Sequence, residues 1–414
     1  MTNTRIRISA LLLAISGLLT PHTTAFGAGK APKTHELTFS GKATPEQYYV
    51  PVYTSFTVPE GIVKISVTQH LGSGEARPGN LDLGIFDERG AGFEGPGFRG
   101  WSGGARRSFE IGETEATPGY LAGRINPGRW TVIQMPTTAG RTTDWTLKIT
   151  LTEGPRAKKL PAPSYAAPQL NDKPGWYRIA PHVHTVHSDG RLTPAEVIAL
   201  GKASGLDGIV STDHNTTSAL LHWGEIQDPE FLVINGVEVT YGQGHWNIFG
   251  LDPHAWIDFR IHHNDTLRYR KAVAKARKAG RLLVANHPYN LDFLYDVTPM
   301  DGIEVWNSAW SPANERAVEL WHTLLVGGNR KFAVASTDFH RGGNIASPHT
   351  VVRAEALSAE AVIDAIAAGR SYVARDASVE IGMQVRNSAT PVQHADIGDT
   401  LLRSGGMQAE FRSN

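Results

Sequence analysis

Six short motifs carry the residue types that bind metal ions. They are His182-Val183-His184, Thr212-Asp213-His214, Glu238, His245, Asn286-His287-Pro288 and Ser336-Thr337-Asp338-Phe339-His340. Imidazole and carboxylate together suit zinc, manganese or iron. Two residues apart on extended backbone, His182 and His184 point to the same side, and so do Asp338 and His340. Each pair is a two-toothed ligand. A lone His beside a strand is more often a hydrogen-bonded core or surface residue, and a single Asp-x-His is almost as weak a signal. Six such motifs together are harder to explain by packing, because clustered imidazoles and carboxylates are costly to bury without a cation.

Composition narrows the chemistry further. The 414 residues contain no cysteine, which removes disulfides, thiolate metal sites, iron–sulfur clusters and a cysteine nucleophile. Of 17 histidines, all but His22, His35, His70 and His394 fall between His182 and His349. Lys+Arg and Asp+Glu are both 40, so formal net charge is zero, and a nucleic-acid partner is not expected.

The elements that must position these residues are legible as patterns. Seven strands are expected at 177–180, 208–211, 231–234, 246–249, 282–285, 303–306 and 332–335, nearly all leading into or lying beside one of the motifs. Helical stretches alternate with them, which argues for a parallel α/β arrangement. Thr193-Pro194-Ala195-Glu196 is a capping box followed by Gly205. Asp265 opens a basic helix ending at Gly280, Ser311-Pro312 opens another, and Ser358 a fourth closed by Gly369. Converging side chains from the C-terminal ends of several strands are the logic of a β/α barrel.

Ahead of this region, residues 33–152 read as a small all-β sandwich, with strands at 48–58, 62–68, 81–86, 119–125, 130–135 and 145–151. Its aromatics read first as packing. A Pro-rich linker spans 153–175, and 377–414 is a β-like C-terminal extension. Residues 1–28 read as a secretory leader: Arg5 and Arg7, an apolar run from Ile8 to Leu19, then small residues with cleavage after Ala25 or Ala28. The expectation is a chain exported to the periplasm or beyond, with no membrane span once the leader is removed.

The motifs, in this order and with His187-Ser188-Asp189-Gly190 following the first, resemble the PHP (polymerase and histidinol phosphatase) superfamily over residues 176–376. With the β-rich N-terminal part and Gly302-Ile303-Glu304-Val305-Trp306-Asn307, the chain is similar to the exported carbaryl-hydrolase-like metallohydrolases. The resemblance implies a distorted seven-stranded (β/α) barrel and two to three divalent ions (Zn, Mn or Fe). It places His182, His184, Glu238 and Asp338 on the first ion. Glu238 bridges to a second completed by His245 and His287, and Asp189, His214 and His340 hold a third. Ala180-Pro181 departs from the Gly-Asp often found before the first motif.

The resulting expectation is a hydrolase in which a metal-bound hydroxide attacks a phosphoester, with Glu238, Asp338 and His340 at the reacting centre. A carboxyl-ester or carbamate hydrolase using the same site is the alternative, kept open by Trp223, Trp246, Trp306 and Trp310 near the motifs. A metal-containing binding protein without catalysis is the most different class. The partner is a small ester or phosphoester, and a homo-oligomer is left open. Asp213 and Asn215 either orient ligands or cap turns. His187, His322 and Arg341 have no assigned role, and Arg341 could meet an anionic substrate.

Overall fold

The computed structural model describes residues 32–72, 79–290, 296–388, 392–401 and 406–413. The leader expected over 1–28 lies outside the described residues. Alternating side chains build the first half of the chain. Eight strands, β1 (Thr34–Ala43), β2 (Val52–Val58), β3 (Ile62–Gly72), β4 (Leu81–Phe86), β5 (Phe98–Gly103), β6 (Ser108–Gly112), β7 (Gly128–Pro136) and β8 (Thr143–Glu153), form two antiparallel sheets. Their orders are β1-β8-β3-β6 and β2-β7-β4-β5. In β8, Trp145, Leu147, Ile149 and Leu151 are buried while the residues between them face outward, the period of two that a half-buried strand requires. Leu83, Ile85 and Trp130 from one sheet meet Ile65, Phe109 and Leu147 from the other in one core.

The strand expected at 119–125 is absent. Gly119 (φ 98°) and Gly123 (φ 142°) turn the backbone away from a ladder, and Tyr120 forms only an isolated bridge with Gly100. Conversely, β1, β5 and β6 were not among the expected strands. β5 reads Phe-Arg-Gly-Trp-Ser-Gly, whose glycines mask its extended character.

Residues 154–168 carry no helix or strand. A short pair, β9 (Gln169–Asn171) with β18 (Leu357–Ser358), follows. The main sheet contains β10 (Gly175–Val183), β11 (Gly208–Ser211), β12 (Leu232–Tyr241), β13 (Gly244–Phe249), β14 (Leu282–Ala285), β15 (Gly302–Asn307), β16 (Phe332–Ser336), β17 (His349–Ala354) and β19 (Ser371–Ala374). Its order is β16-β15-β14-β13-β12-β11-β10-β17-β19. All seven expected strands lie in it, and β17 and β19 add two more. The expected parallel arrangement holds only in part: β12–β13, β13–β14, β10–β17 and β17–β19 are antiparallel. Tyr241 pairs with Gly244, so the β12–β13 connection is a tight hairpin, too short for a parallel crossover. A separate three-stranded sheet, β20 (Ile381–Asn387), β21 (His394–Asp396) and β22 (Met407–Ser413), completes the described chain.

The nine-stranded sheet curls until β16 returns beside β10, giving a nearly closed, barrel-like shape. Val183 and Phe339 form a parallel bridge there. Around this region hydroxyls take over from ladder bonds. Thr212 Oγ1 accepts from Val183 N (2.9 Å) and donates to Val183 O (3.0 Å). Ser336 Oγ does the same for His182 (3.2 and 3.0 Å), and Thr350 Oγ1 for Ala335 (2.9 and 3.0 Å). Each hydroxyl meets both backbone groups of a buried residue, so those groups keep partners where the ladder breaks.

Four helices flank the sheet among the described residues: α1 (Pro194–Ala203), α2 (Thr266–Ala279), α3 (Pro312–Val326) and α4 (Ala359–Ala367). Their starts follow the expected signals. Thr193 and Glu196 form the capping box, Asp265 accepts from Arg268 N, Pro312 sits in the first turn after Ser311, and Ser358 accepts from Ala361 N. No helix among the described residues is long and apolar enough to cross a membrane.

The N-terminal sheets pack directly on the barrel. Phe86, Phe98, Trp101 and Met135 share a core with Phe259 and Trp246, and Phe98 stacks on Trp256 at 4.3 Å. The buried Arg260 donates to Asp258 Oδ1 (2.9 Å) and to the carbonyls of Ala91 and Gly92 (2.8 Å each).

Candidate metal centre

Each motif reaches the barrel mouth by a different route. His182 lies in β10 and His184 just beyond it. Phe339 N donates to His182 O (3.3 Å) and His184 N to Phe339 O (2.8 Å), so the first and last motifs are locked main chain to main chain. Glu238 lies in β12, His245 in β13, and His214 and His287 just past β11 and β14. Asn215 (φ 57°), His287 (φ 25°) and Asp338 (φ 53°) occupy the left-handed region, a strained backbone of the kind that collects at functional sites.

Glu238 is the hub. It is fully buried, and its carboxylate lies within ion-pairing distance of five imidazoles: His214 Nδ1 (2.8 Å), His245 Nδ1 (3.2 Å), His182 Nε2 (3.3 Å), His184 Nε2 (3.4 Å) and His287 Nε2 (3.5 Å). Asn286 Nδ2 donates to its Oε1 at 2.8 Å. Asp338 Oδ1 lies 3.0 Å from His184 Nε2 and 3.2 Å from His182 Nε2. Asp189 Oδ1 lies 3.2 Å from His340 Nε2 and 3.5 Å from His214 Nε2.

All nine expected ligands therefore meet. The trio Asp189, His214 and His340 is joined by His184 in one group whose ligand atoms lie within 4.8 Å of one another. The others group as His182 with His184 and Glu238, His182 with His287 and Asp338, and His214 with Glu238 and His245. His245 and His287 fall into different groups, and each has a nitrogen near Glu238 Oε1, at 3.2 and 3.5 Å.

The donor set fits divalent ions. The buried atoms His182 Nε2, His184 Nε2, Glu238 Oε2 and Asp338 Oδ1 make no hydrogen bond, although buried polar atoms ordinarily find partners. Charge crowding shows in the titration. Burial opposes the charged form of His182, but Asp338, Glu238 and Glu304 outweigh it and raise its pKa well above the ordinary value. His214 is pushed up to about 10, with Glu238 and Asp189 overcoming burial. Despite burial, Glu238 and Asp338 are held well below the usual carboxylate range, chiefly by His182. Burial lowers His184 to about 4, helped by His340 and His214.

Further residues hold these ligands in place. Glu304, 2 % exposed in β15, lies 3.1 Å from His182 Nδ1 and accepts from His287 N at 2.9 Å. It stands in a stretch noted in the sequence, yet nothing local assigned it a role. Asp213 accepts from Thr185 N (2.8 Å) and Ser188 Oγ (2.7 Å), fixing the loop between His184 and Asp189. Asn215 pairs with the backbone of Thr240 through both amide atoms. His340 Nδ1 donates to Asp338 O at 2.7 Å, which turns its Nε2 toward Asp189. The buried His187 meets Ser218 Oγ (2.8 Å), outside the ligand groups. His322 is exposed on α3.

Two cavities open at the centre. One, of about 890 Å³, is lined by Asp338 and His340 together with Arg106, Arg191 and Arg341. Arg106, from the N-terminal sheets, donates to the carbonyls of Ser188 and Val186. The other, of about 490 Å³, is lined by His214 and His245 and by the rings of Tyr49, Trp101, Tyr241 and Phe259. The tryptophans singled out in the sequence are not these rings. Trp223 and Trp246 are core residues, 1 % and 0 % exposed, and Trp306 packs on Trp310. Tyr49 and Trp101 were missed because only the tertiary fold carries them to the barrel mouth.

No family model and no curated protein matches the chain. Among solved structures, it is similar to a two-domain protein from Bacteroides vulgatus containing a predicted PHP-like metal-dependent phosphoesterase, at 17% identity, 63% of this chain, 91% of that chain and TM-score 0.38. It is similar to PsfC from Pseudomonas syringae, at 15% identity, 49% and 93% coverage and TM-score 0.37. It is also similar to a sulfate-bound amidohydrolase from Chromobacterium violaceum, at 18% identity, 40% and 89% coverage and TM-score 0.30.

Proposed function

We infer that the chain is a metal-dependent hydrolase of the PHP type, acting on a phosphoester. The observation that carries this reading is the convergence of six imidazoles and the carboxylates of Asp189, Glu238 and Asp338 beside a mouth bearing three arginines. When bound, divalent ions acidify water and polarise the scissile group's oxygens. The chain's own residues hold and orient. Glu304 and the Asp338 carbonyl fix which nitrogen His182 and His340 turn to the centre, and Arg191 and Arg341 offer charge to an incoming anion. Glu238, Asp338 and His340 stand nearest the reacting atoms. Export, a seven-stranded catalytic barrel behind an N-terminal β-sandwich, and kinship with the carbaryl-hydrolase-like branch belong to the same proposal.

The ring-lined cavity favours a second reading, a carboxyl-ester or carbamate hydrolase at the same centre. Turnover of bis-p-nitrophenyl phosphate, p-nitrophenyl phosphate, p-nitrophenyl acetate and an aryl carbamate by the manganese- or zinc-loaded chain separates the two. Phosphoester turnover supports the first reading. Turnover confined to acetate or carbamate replaces it with the second.

A further inference from the structure

The two cavities share Ala105, Ser188 and Asp189 on their walls, so the ligand cluster sits on a saddle between them. Their chemistry differs. The larger one carries Arg106, Arg191 and Arg341. Among the described residues, the smaller one has no lysine or arginine in its lining. Its volume of about 490 Å³ is within the range of about 300–1,000 Å³ common for small-molecule sites.

Much of the smaller cavity's wall comes from outside the barrel. Tyr49, Trp101 and Met135 belong to the N-terminal half of the chain, and Trp101 packs on the barrel's Phe259 with ring centroids 4.5 Å apart. Tyr49 lies against Gly242 in the β12–β13 turn, where a Cβ would come within 2.7 Å of its ring. A polar edge interrupts the rings. Asp82 Oδ1 accepts from Asn80 Nδ2 (2.5 Å) and Thr137 Oγ1 (3.2 Å). Burial pushes the Asp82 carboxyl up to about 7. With His214 and His245 given to the metal ions, no lysine or arginine of the lining offsets the Asp82 carboxyl, which disfavours an acidic group at this edge, while the rings offer apolar faces.

We propose that the N-terminal sheets supply a substrate-arm pocket, and that the substrate is a phosphoester with one uncharged, ring-bearing arm seated between Tyr49, Trp101 and Phe259. The phosphoryl group then lies over the ligand cluster, with its remaining oxygens or second arm toward Arg191 and Arg341. Asp82, Asn80 and Thr137 present hydrogen-bonding atoms to the edge of the ring and exclude an acidic substituent. This rests on the phosphoester reading for the head group, but the ring preference of the pocket is separable from it.

The test is equilibrium binding of non-hydrolysable probes to the manganese-loaded full chain by calorimetry. Phenylphosphonate should bind at least about tenfold tighter than methylphosphonate, since the two differ only in the buried ring. Tyr49→Asn, which removes a half-buried rim ring and tolerates the left-handed backbone there (φ 54°), should shrink that ratio to below about threefold without weakening methylphosphonate. Trp101→Leu should do the same. 4-Carboxyphenylphosphonate should lose the advantage of the ring, and Asp82→Asn should restore it. Equal binding of phenyl- and methylphosphonate, or a ratio unmoved by Tyr49→Asn, overturns the pocket. If neither phosphonate binds, the phosphoester reading fails, and benzohydroxamate against acetohydroxamate then decides the pocket alone. A Tyr49-dependent preference for the benzo compound upholds the ring pocket, and no preference overturns it.

Discussion

His182 Nδ1 lies 3.1 Å from Glu304 Oε1, while its Nε2 faces Glu238 and Asp338. An ionised carboxylate only accepts, so a proton is kept on Nδ1, and it is Nε2 that gives up its proton and turns its lone pair to a cation. Glu304→Ala should weaken metal affinity by about 10–100-fold in chelator competition. Glu304→Gln, which keeps a carbonyl acceptor, should recover part of the loss. Unchanged affinity in Glu304→Ala would remove this role.

Metal uptake should release protons. His182 and His214 have raised pKa values in the metal-free fold, His214 to about 10, because neighbouring carboxylates favour imidazolium. An ion must displace those protons, so affinity should climb from about pH 6 to pH 9. Their raised pKa also stabilises the metal-free fold fully below the unfolded histidine value, a contribution lost as pH rises through the folded value. The depressed pKa values of Glu238 and Asp338 stabilise it above the unfolded carboxylate values, and that part is lost on acidification. Calorimetry in buffers of different ionisation enthalpy reads the proton release, and a buffer-independent enthalpy would contradict it.

The barrel seam can be opened at one atom. Thr350 is fully buried, and its Oγ1 serves both Ala335 N and Ala335 O. Thr350→Val keeps the shape and strands both backbone groups, at a cost of about 1–3 kcal/mol. Urea denaturation measures this, and a change within about 0.5 kcal/mol would show that water or a backbone shift replaces the hydroxyl.

Arg260 and Asp258 tie the barrel to the N-terminal sheets. Both are buried, and Arg260 also reaches Tyr53 Oη at 3.0 Å. Arg260→Met leaves the Asp258 carboxylate buried without its cation, costing about 3–5 kcal/mol. Adding Asp258→Asn should return part of that stability. Equal stability of the single and double variants would mean that the pair is not coupled.

What the sequence could show was local. The capping box at Thr193, the caps at Asp265 and Ser358, and the seven strand cores depend on neighbours in the chain, so their patterns survive in one dimension. Most of the nine candidate ligands were legible because they sit in short motifs at or near strand ends, while Glu238 lies within β12 and Asp189 in the loop after β10. Glu304 was not, because its partners His182 and His287 lie 122 and 17 residues away. β17 and β19 went unrecognised because no ligand marks them; the place of β17 depends on pairing with β10 far upstream, and that of β19 on pairing with β17. The expected strand at 119–125 failed for the opposite reason: its composition fits a strand, but Gly119 and Gly123 take backbone angles that forbid one. Tyr49 and Trp101 read as sheet packing until the fold set them beside the ligands.

The most direct test of the metal centre is elemental analysis of the purified full chain and of an Asp338→Ala/His340→Ala double variant, with bis-p-nitrophenyl phosphate turnover measured on the same samples. The full chain should hold two to three divalent transition ions and turn over the ester, while the double variant stays folded and loses both. A folded, metal-free native chain, or a double variant that keeps its metal and its activity, would contradict the assignment of this cluster.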